Sequence, residues 1–421
     1  MTLDLAKFLD DRTEYKDLSL RMVREGKTEI FVPDPASYVM DKTEYLPTSL
    51  PVFYNPVMEI NRDITILAVR VYLDLFPYDG PVYYVESMAG TGIRGFRLLN
   101  EVGDDRLVVI MNDIDPKAVD LIKFNAEKLD FPSDRLQIYN FDANYLFLEL
   151  RRRGLVPSII EIDPYGTPAP FVFNAIRALK GKHGLLITTA TDTAPLTGKF
   201  PKAALRKYGC NLVKNPFGKE VAVRALLYMV GREATIVSKR IMPLFGFFIH
   251  HFIKIAVLVN RGRRQADMFW RSIGWVSFCP VCNEFYLTKG LGNFPQSVCD
   301  IPDHGRTDIL GPIWVDPIFN IDFSRKMLEI LDKSDNFEQG EKLKKIINWE
   351  IALADVPFFY DVQEIARRLH ISAPGVNEVV DKLIDLGYRA TRTHFNPRGV
   401  RTNAKIRDVV KIVKNIMLSR N

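Results

Sequence analysis

Cysteine is scarce in this chain: four residues, Cys210, Cys279, Cys282 and Cys299, are spread over 421 positions. That is too few for a disulfide framework and excludes the small secreted scaffolds that depend on one. Long apolar runs are also lacking. The most hydrophobic stretch, 241–260, is broken by Pro243, Gly246, His250, His251 and Lys254, which rules out a membrane span and predicts two buried strands joined near Gly246. The first eleven residues carry Asp4 and Asp10 and have no apolar leader core. A cytoplasmic protein with no membrane partner is the expectation. No fixed-period repeat is apparent, and nothing implies an obligate protein partner.

What is present fits a globular protein. Apolar residues make up 47% and charged residues 26%, and the length calls for two or three domains. The net charge of +6 is modest, but it is unevenly placed. From Arg389 onward nine basic residues face one acid, Asp408. That tail carries more than the whole positive balance, the electrostatic footprint of a polyanionic partner.

Between about residues 83 and 261, short apolar strands (83–86, 107–112, 136–141, 158–162 and 184–189) alternate with amphipathic stretches. Such alternation predicts a mostly parallel sheet covered on both faces, closed by an antiparallel hairpin of the apolar runs 236–244 and 247–260. His250 and His251 fall mid-strand on this reading, as core or surface groups. Residues 1–52 read as a loose extension, because Pro33, Pro35, Pro47 and Pro51 argue against compactness. The catalytic domain is assigned to 53–272 and a C-terminal domain to 273–421. The latter holds a cysteine-containing segment at 273–314 and a winged-helix-like pattern at 355–421.

The first strand of the alternating region ends in Glu86 and runs into Gly90-x-Gly92-x-x-Gly95, opening a helix. Glycines there let the backbone turn tightly and approach a ligand. The second strand ends at Asp113, placed for ribose hydroxyls, and the third at Asp142-Ala143, suited to an adenine amino group. A nicotinamide dehydrogenase would share the first two features. Glu86 at the strand tip and the third acidic strand end instead resemble class I methyltransferases, which bind S-adenosylmethionine. The fourth strand ends in Asp163-Pro164-Tyr165-Gly166. An amine conjugated to a base is a poor nucleophile. Asp163 and the Pro164 carbonyl would accept its N–H groups and aim its lone pair at the methyl, while Tyr165 stacks on the base.

Several blocks go further. Glu161-Ile162-Asp163-Pro164-Tyr165-Gly166-Thr167-Pro168, Asn61-Arg62-Asp63, Ala190-Thr191-Asp192-Thr193-Ala194-Pro195-Leu196 and Arg392-Thr393-His394-Phe395-Asn396-Pro397 together resemble the tRNA (guanine-26-N2)-dimethyltransferase family. The resemblance runs from about residue 25 to 404. It implies a class I, Rossmann-like α/β domain followed by a smaller α+β domain with a winged-helix-like module. It also implies transfer of one or two methyl groups from S-adenosylmethionine to guanine N2 in tRNA. Carried over by position, Arg62, Arg94, Asp113, Asp142 and Ala143 match the family's cofactor contacts and Asp163 its catalytic acid. Where the family commonly has Phe after the proline, this chain has Tyr165. Cys279-x-x-Cys282 with Cys299 resembles the family's half-zinc-ribbon, and His304 would supply a fourth ligand to structural zinc. Arg392, Arg398 and Arg401 are the expected tRNA contacts. The competing readings are a DNA amino-methyltransferase and a winged-helix binding protein without catalysis.

Overall fold

The computed structural model describes residues 7–38, 47–293, 304 and 307–419. Packing divides the chain into two units: 1–163 with 174–188 and 329–341, and 164–173 with 189–328 and 342–421.

The first unit begins with a sheet that the prolines had argued against. Strands β1 (Phe8–Tyr15), β2 (Leu18–Glu25) and β3 (Thr28–Pro33) form an antiparallel meander. Its turns fall where the chain can enter the left-handed region, at Lys16 (φ 52°) and Gly26 (φ 56°). The prolines begin only at the end of β3 and therefore do not interrupt the ladder. Leu18, Leu20 and Phe31 from the meander pack with Ala118 and Leu121 of a helix in the same unit. Residues 8–33 thus form a folded layer.

The helix α1 (Glu59–Leu75) leads into the predicted alternation: β4 (Val82–Glu86), α2 (Ile93–Glu101), β5 (Leu107–Asn112), α3 (Pro116–Lys128), β6 (Leu136–Tyr139), α4 (Ala143–Arg152), β7 (Ile159–Ile162) and β8 (Gly184–Ala190). These strands lie in the order β6–β5–β4–β7–β8 and pair in parallel. The order reverses beside β4, so β4 and β7 leave the sheet next to each other in opposite directions of progression. That switch point is where an open α/β sheet binds its ligand.

In the second unit, the helix α5 (Gly218–Ile236) is buried along most of its length and packs against the hairpin β9 (Lys239–Ile249) and β10 (Phe252–Arg261). The turn is not at Gly246. It lies at His250-His251, with Phe252 paired to Ile249, so these histidines are exposed turn residues and not mid-strand groups. Gly246 serves packing instead: a Cβ there would meet Val223 Cγ1 at 2.4 Å. Pro243 is accommodated at a register shift opposite Val257. A second antiparallel sheet, in the order β12–β11–β13, joins β11 (Ile273–Phe278), β12 (Phe285–Lys289) and β13 (Asp308–Trp314).

The C-terminal part of this unit contains α6 (Gly340–Ala352), whose first two residues are assigned to the other unit. Then come β14 (Tyr360–Asp361), α7 (Val362–Arg368), α8 (Val376–Asp385), β15 (Ala390–Arg392), β16 (Gly399–Thr402) and α9 (Ile406–Leu418). Helix, turn, helix and a short hairpin follow the winged-helix order.

One residue of this module is not where its charge suggested. Arg401 is 1% exposed. Its guanidinium donates to Glu220 Oε2 at 3.0 Å, Glu350 Oε2 at 2.8 Å and the Val356 carbonyl at 2.7 Å. Buried between two carboxylates, it is a core counter-ion and has no surface to offer a phosphate. Burial alone would raise the Glu350 pKa, but Arg401 and His394 hold it down to about 2. Truncating Arg401 therefore takes a shared cation from two buried carboxylates, leaving Arg224 to Glu220 and His394 to Glu350. Arg401→Ala is expected to lower unfolding stability by about 3–5 kcal/mol, read from the urea midpoint of the purified protein.

Candidate functional site

The residues at the carboxyl end of the first unit's sheet are set by the turns leaving its strands. After Glu86 the chain makes a tight loop in which Gly90 (φ 54°) and Gly92 (φ 77°) adopt left-handed backbone. A Cβ on Gly90 would meet the Phe53 carbonyl at 3.2 Å, and one on Gly95 would meet Met111 Cε at 2.4 Å. The first two glycines thus make the turn, and the third lets α2 approach β5.

Asp113, at the end of β5, fixes this loop: its Oδ2 accepts from Gly90 N at 2.8 Å and its Oδ1 from Asp115 N at 3.0 Å. Burial raises its pKa. Asp142 caps α4 by accepting from Asn144 N at 2.9 Å and Tyr145 N at 3.2 Å, and Ala143 follows it, buried. Asn112, which sequence reasoning passed over, donates to the carbonyls of Ser87 (3.0 Å) and Phe141 (2.9 Å). It thereby ties the loops after β4 and β6 to the end of β5. The strand-end acids Glu86, Asp113 and Asp142 stand on adjacent strands, about 4.8 Å apart strand to strand, so they span roughly the length of a nucleoside. Ile114, 68% exposed beside Asp113, offers an apolar side chain of the kind that packs on a flat ring.

Arg94 is the centre of the β4–β7 side. It donates to Glu86 Oε1 at 3.1 Å, to Asn61 Oδ1 at 3.1 Å and to Asp163 Oδ2, and its Nε lies 3.8 Å from Glu161 Oε1. Glu86 also accepts from Gly95 N at 3.1 Å. Glu161 accepts the hydroxyls of Thr65 (3.0 Å) and Tyr84 (3.4 Å). One guanidinium therefore serves three carboxylates. Burial pushes the Glu86 pKa up; Arg94 opposes this, Glu161 and Asp163 add to it, and the result is about 7. Glu161 was not singled out by sequence, although it stands two residues before Asp163 and so on the same strand face.

Arg62 is placed behind this group. It forms a two-pronged pair with Glu25, Nε to Oε2 being 2.7 Å, and donates to the Asn55 carbonyl at 3.0 Å. Glu25 also accepts from Tyr54 Oη at 2.8 Å. Its burial alone would raise its pKa, but Arg62 and Arg97 overturn that and leave it lowered. Arg97 in turn lies 2.8 Å from Asp63 Oδ1. Glu25 sits in the segment read as a loose extension, and nothing in its local sequence marks it.

At Asp163 the chain passes into the second unit, where Pro164-Tyr165-Gly166 begins. Gly166 (φ 85°) donates to Thr191 Oγ1 at 2.8 Å, and its carbonyl accepts from Thr191 N at 2.9 Å and Asp192 N at 3.1 Å. Those contacts anchor the loop, and Tyr165 is 66% exposed. Elsewhere in that unit, ligand atoms of Cys279, Cys282 and His304 lie within 4.8 Å of one another, with Cys279 Sγ 3.6 Å from His304 Nδ1. Arg368 holds the intervening knuckle through the Val281 carbonyl and Asn283 Oδ1. Cys299 lies outside the described residues. Cys210 is buried apart, its thiol pushed up by desolvation. Of the expected tRNA contacts, Arg398 is exposed and Arg392 half-buried, while Arg401 is the core residue described above.

The site suits a ligand that is part nucleoside and part charged amino acid, with glycines for close approach, strand-end carboxylates for hydroxyl and amino groups, and guanidinium for a carboxylate. Those demands are the ones S-adenosylmethionine makes, and the fold and site define a class I S-adenosylmethionine-dependent methyltransferase. A family model described as N2,N2-dimethylguanosine tRNA methyltransferase matches residues 26–414, and the chain belongs to that family. It is 32% identical over 407 residues to the tRNA (guanine(26)-N(2))-dimethyltransferase of Saccharolobus solfataricus, covering 95% of this chain and 100% of that one. With the enzyme of the same description from Methanosarcina acetivorans it shares 34% identity, over 94% and 98% of the two chains. The solved structure of Trm1 from Pyrococcus horikoshii with S-adenosyl-L-methionine superposes with a TM-score of 0.78 at 30% identity, covering 93% of this chain and 99% of the other.

The carboxylate cluster makes a pH prediction. A carboxylate raised from its ordinary 4.5 to about 7 binds a proton in the folded state that the unfolded chain does not hold. Its contribution to stability is therefore fully present below about 4.5 and is lost as pH rises through about 7. Glu86→Gln is expected to remove on the order of 3 kcal/mol of that fall, measured as urea midpoints of both proteins from pH 5 to 8.

Proposed function

We propose that this protein transfers one or two methyl groups from S-adenosylmethionine to the exocyclic N2 of guanine 26 in tRNA. The observation that carries the reading is the Asp163 carboxylate, held by Arg94 at the tip of β7 beside the glycine loop. S-adenosylmethionine supplies, when bound, a methyl group on a cationic sulfur. Glu86, Gly90, Gly92, Asp113, Asp142 and Ala143 would seat its nucleoside and Arg94 its carboxylate, with Arg62 setting the charge behind them through Glu25. Asp163 and the Pro164 carbonyl accept the N–H groups of guanine N2. This turns the nitrogen lone pair toward the methyl and away from conjugation with the ring. Tyr165, exposed at the loop, stacks on the base. As the N–C bond forms, the methyl's bond to sulfur would break with its electron pair left on sulfur, and the surplus proton on N2 would pass to the Asp163 carboxylate and then to solvent. Positioning of this kind supplies much of the rate.

The proposed division of work follows the sequence-based domains: catalysis at 53–272, the N-terminal segment 1–52 buttressing it, and tRNA capture by 273–421. Arg392 and Arg398 remain the proposed tRNA contacts. The setting is the cytoplasm. No helix among the described residues is long and apolar enough to cross a membrane.

Incubation with S-adenosylmethionine and unmodified tRNA should yield N2-methylated guanosines by nucleoside mass spectrometry. Asp163→Ala should reduce the rate by at least about a thousandfold while still binding the cofactor in calorimetry. Methylation that survives in that variant, or label incorporated into duplex DNA and not tRNA, sinks the reading.

We also propose a structural zinc at Cys279, Cys282 and His304, with Cys299 as fourth ligand. Two thiols and an imidazole in one small cluster match the zinc preference for sulfur and nitrogen. Elemental analysis should find about one zinc per chain in the purified protein and little in Cys279→Ser.

A further inference from the structure

Helix α6 has two faces of different character. Leu343, Ile347 and Glu350 are buried, and Glu350 is the carboxylate that holds Arg401 and the ring of His394. Another strip of the same helix carries Lys342, Lys345 and Trp349, whose spacings of three and four place them in one row. The row covers about 10 Å along the axis.

Both ends of the row meet further basic groups. At its start, Lys342 Nζ stands 3.2 Å from His250 Nε2. His250 occupies the β9–β10 turn with φ 50°, next to the exposed His251. At its far end, the Arg392 guanidinium lies 5.1 Å from the centre of the Trp349 ring. Asn377 Oδ1 (3.2 Å) and the Pro397 carbonyl (2.9 Å) fix it there. The row therefore joins the hairpin turn to the wing through side chains of one helix. Lys219 lies 5.3 Å from the centre of the Phe248 ring, two residues before the turn.

The groups facing His250 from the elements around it are Lys342 and His251, both basic. Burial, then Lys342, then His251 lower the His250 pKa, and burial lowers that of Lys342. Two basic groups held this close repel each other when both are protonated. An anion bound beside the pair, accepting from both groups, offsets that repulsion, and the matching ligand is a phosphate with acceptor oxygens on more than one side.

We propose that the row His250, Lys342, Lys345, Trp349 and Arg392 is a track for the phosphodiester backbone of tRNA, with His250 and Lys342 sharing one phosphate. The proposal rests on the functional reading above and adds to it a surface that the basic tail alone did not indicate. Trp349, half-exposed with Arg392 on its ring, lies where a backbone following the track passes over it.

The test is tRNA binding by the full chain, with S-adenosylmethionine affinity measured alongside as the control for folding. Lys342→Ala/Lys345→Ala should raise the Kd for unmodified tRNA about tenfold or more at roughly 0.1 M salt. It should also flatten the plot of log Kd against log salt by about two phosphate contacts, leaving the cofactor Kd unchanged. Binding by the unaltered protein should tighten as pH falls from 7.5 to 6, and His250→Gln should lose most of that gain. Intrinsic fluorescence should respond to tRNA through Trp349 and respond less in Trp349→Phe. Unchanged tRNA affinity and salt slope in the double variant, with the unaltered protein binding tRNA normally, overturn the track. A protein that binds S-adenosylmethionine but no tRNA overturns the functional reading itself.

Discussion

One guanidinium standing among three carboxylates is the interaction on which the catalytic end of the sheet depends. Arg94 contacts Glu86, Glu161 and Asp163 and is steadied by Asn61. Burying several like charges is expensive unless they are paired and hydrogen-bonded. Here the hydroxyls of Thr65 and Tyr84 and the Gly95 amide supply part of the compensation. The rest of the imbalance shows in Glu86, whose pKa rises to about 7. A site with surplus negative charge around a single cation accepts a ligand bearing a sulfonium and an ammonium more readily than a neutral one. The same cation orients Asp163. Under the proposed function, cofactor charge and base orientation thus meet at one side chain.

Buried arginine recurs as a building device. In the first unit Arg62 and Arg97 both engage Glu25, and Arg97 adds Asp63 and Glu101. These contacts join β2 to α1 and α2, so the N-terminal meander is part of what holds the helix carrying Asn61, Arg62 and Thr65. In the second unit Arg401 joins α5 to α6 through Glu220 and Glu350. His394 accepts the Phe248 amide at Nε2 and engages Glu350 through Nδ1, which ties the wing to the hairpin. The members of each group come from elements far apart in sequence, and each leaves its arginine with almost no surface.

That arrangement explains which features were legible in the sequence. The parallel strands were, because alternation of apolar runs and amphipathic helices is a local pattern. So were the glycine turn, the strand-end acids and Asp163, since each sits at a fixed place relative to a strand. The meander was less legible because proline density, at Pro33, Pro35, Pro47 and Pro51, signals a loose segment, whereas the strands 18–25 and 28–33 precede nearly all of these prolines. The hairpin turn was placed at Gly246 because glycine favours turns. The chain instead uses His250 in left-handed backbone and keeps Gly246 for contact with Val223. Glu25 and Asn112 carried no local signal: their importance lies wholly in partners tens of residues away. Arg401 shows the same limit from the other side, as a basic residue in a basic tail whose neutralising carboxylates are distant in sequence.

The acids around the glycine loop also differ in what they have left to offer. Glu86 and Glu161 are buried and engaged from several directions. Asp113 accepts one hydrogen bond per oxygen from the Gly90 and Asp115 amides, and Asp142 caps the first turn of α4 through Oδ1, so each keeps acceptor capacity but is fixed by backbone. The Asp163 side chain keeps 15% of its surface open, and Arg94 engages it through one oxygen, Oδ2. A carboxylate that must accept hydrogen bonds from an incoming amine needs an oxygen facing outward and a fixed orientation. Arg94 provides the second without consuming the first. The immediately following residues, Pro164 and Tyr165, then begin a loop pinned at Gly166 by Thr191 and Asp192. The acid is therefore held from behind by charge, and the chain beyond it by backbone hydrogen bonds. Asp163 is suited to the role proposed for it because of what its neighbours already satisfy, as much as because it is an acid at a strand tip.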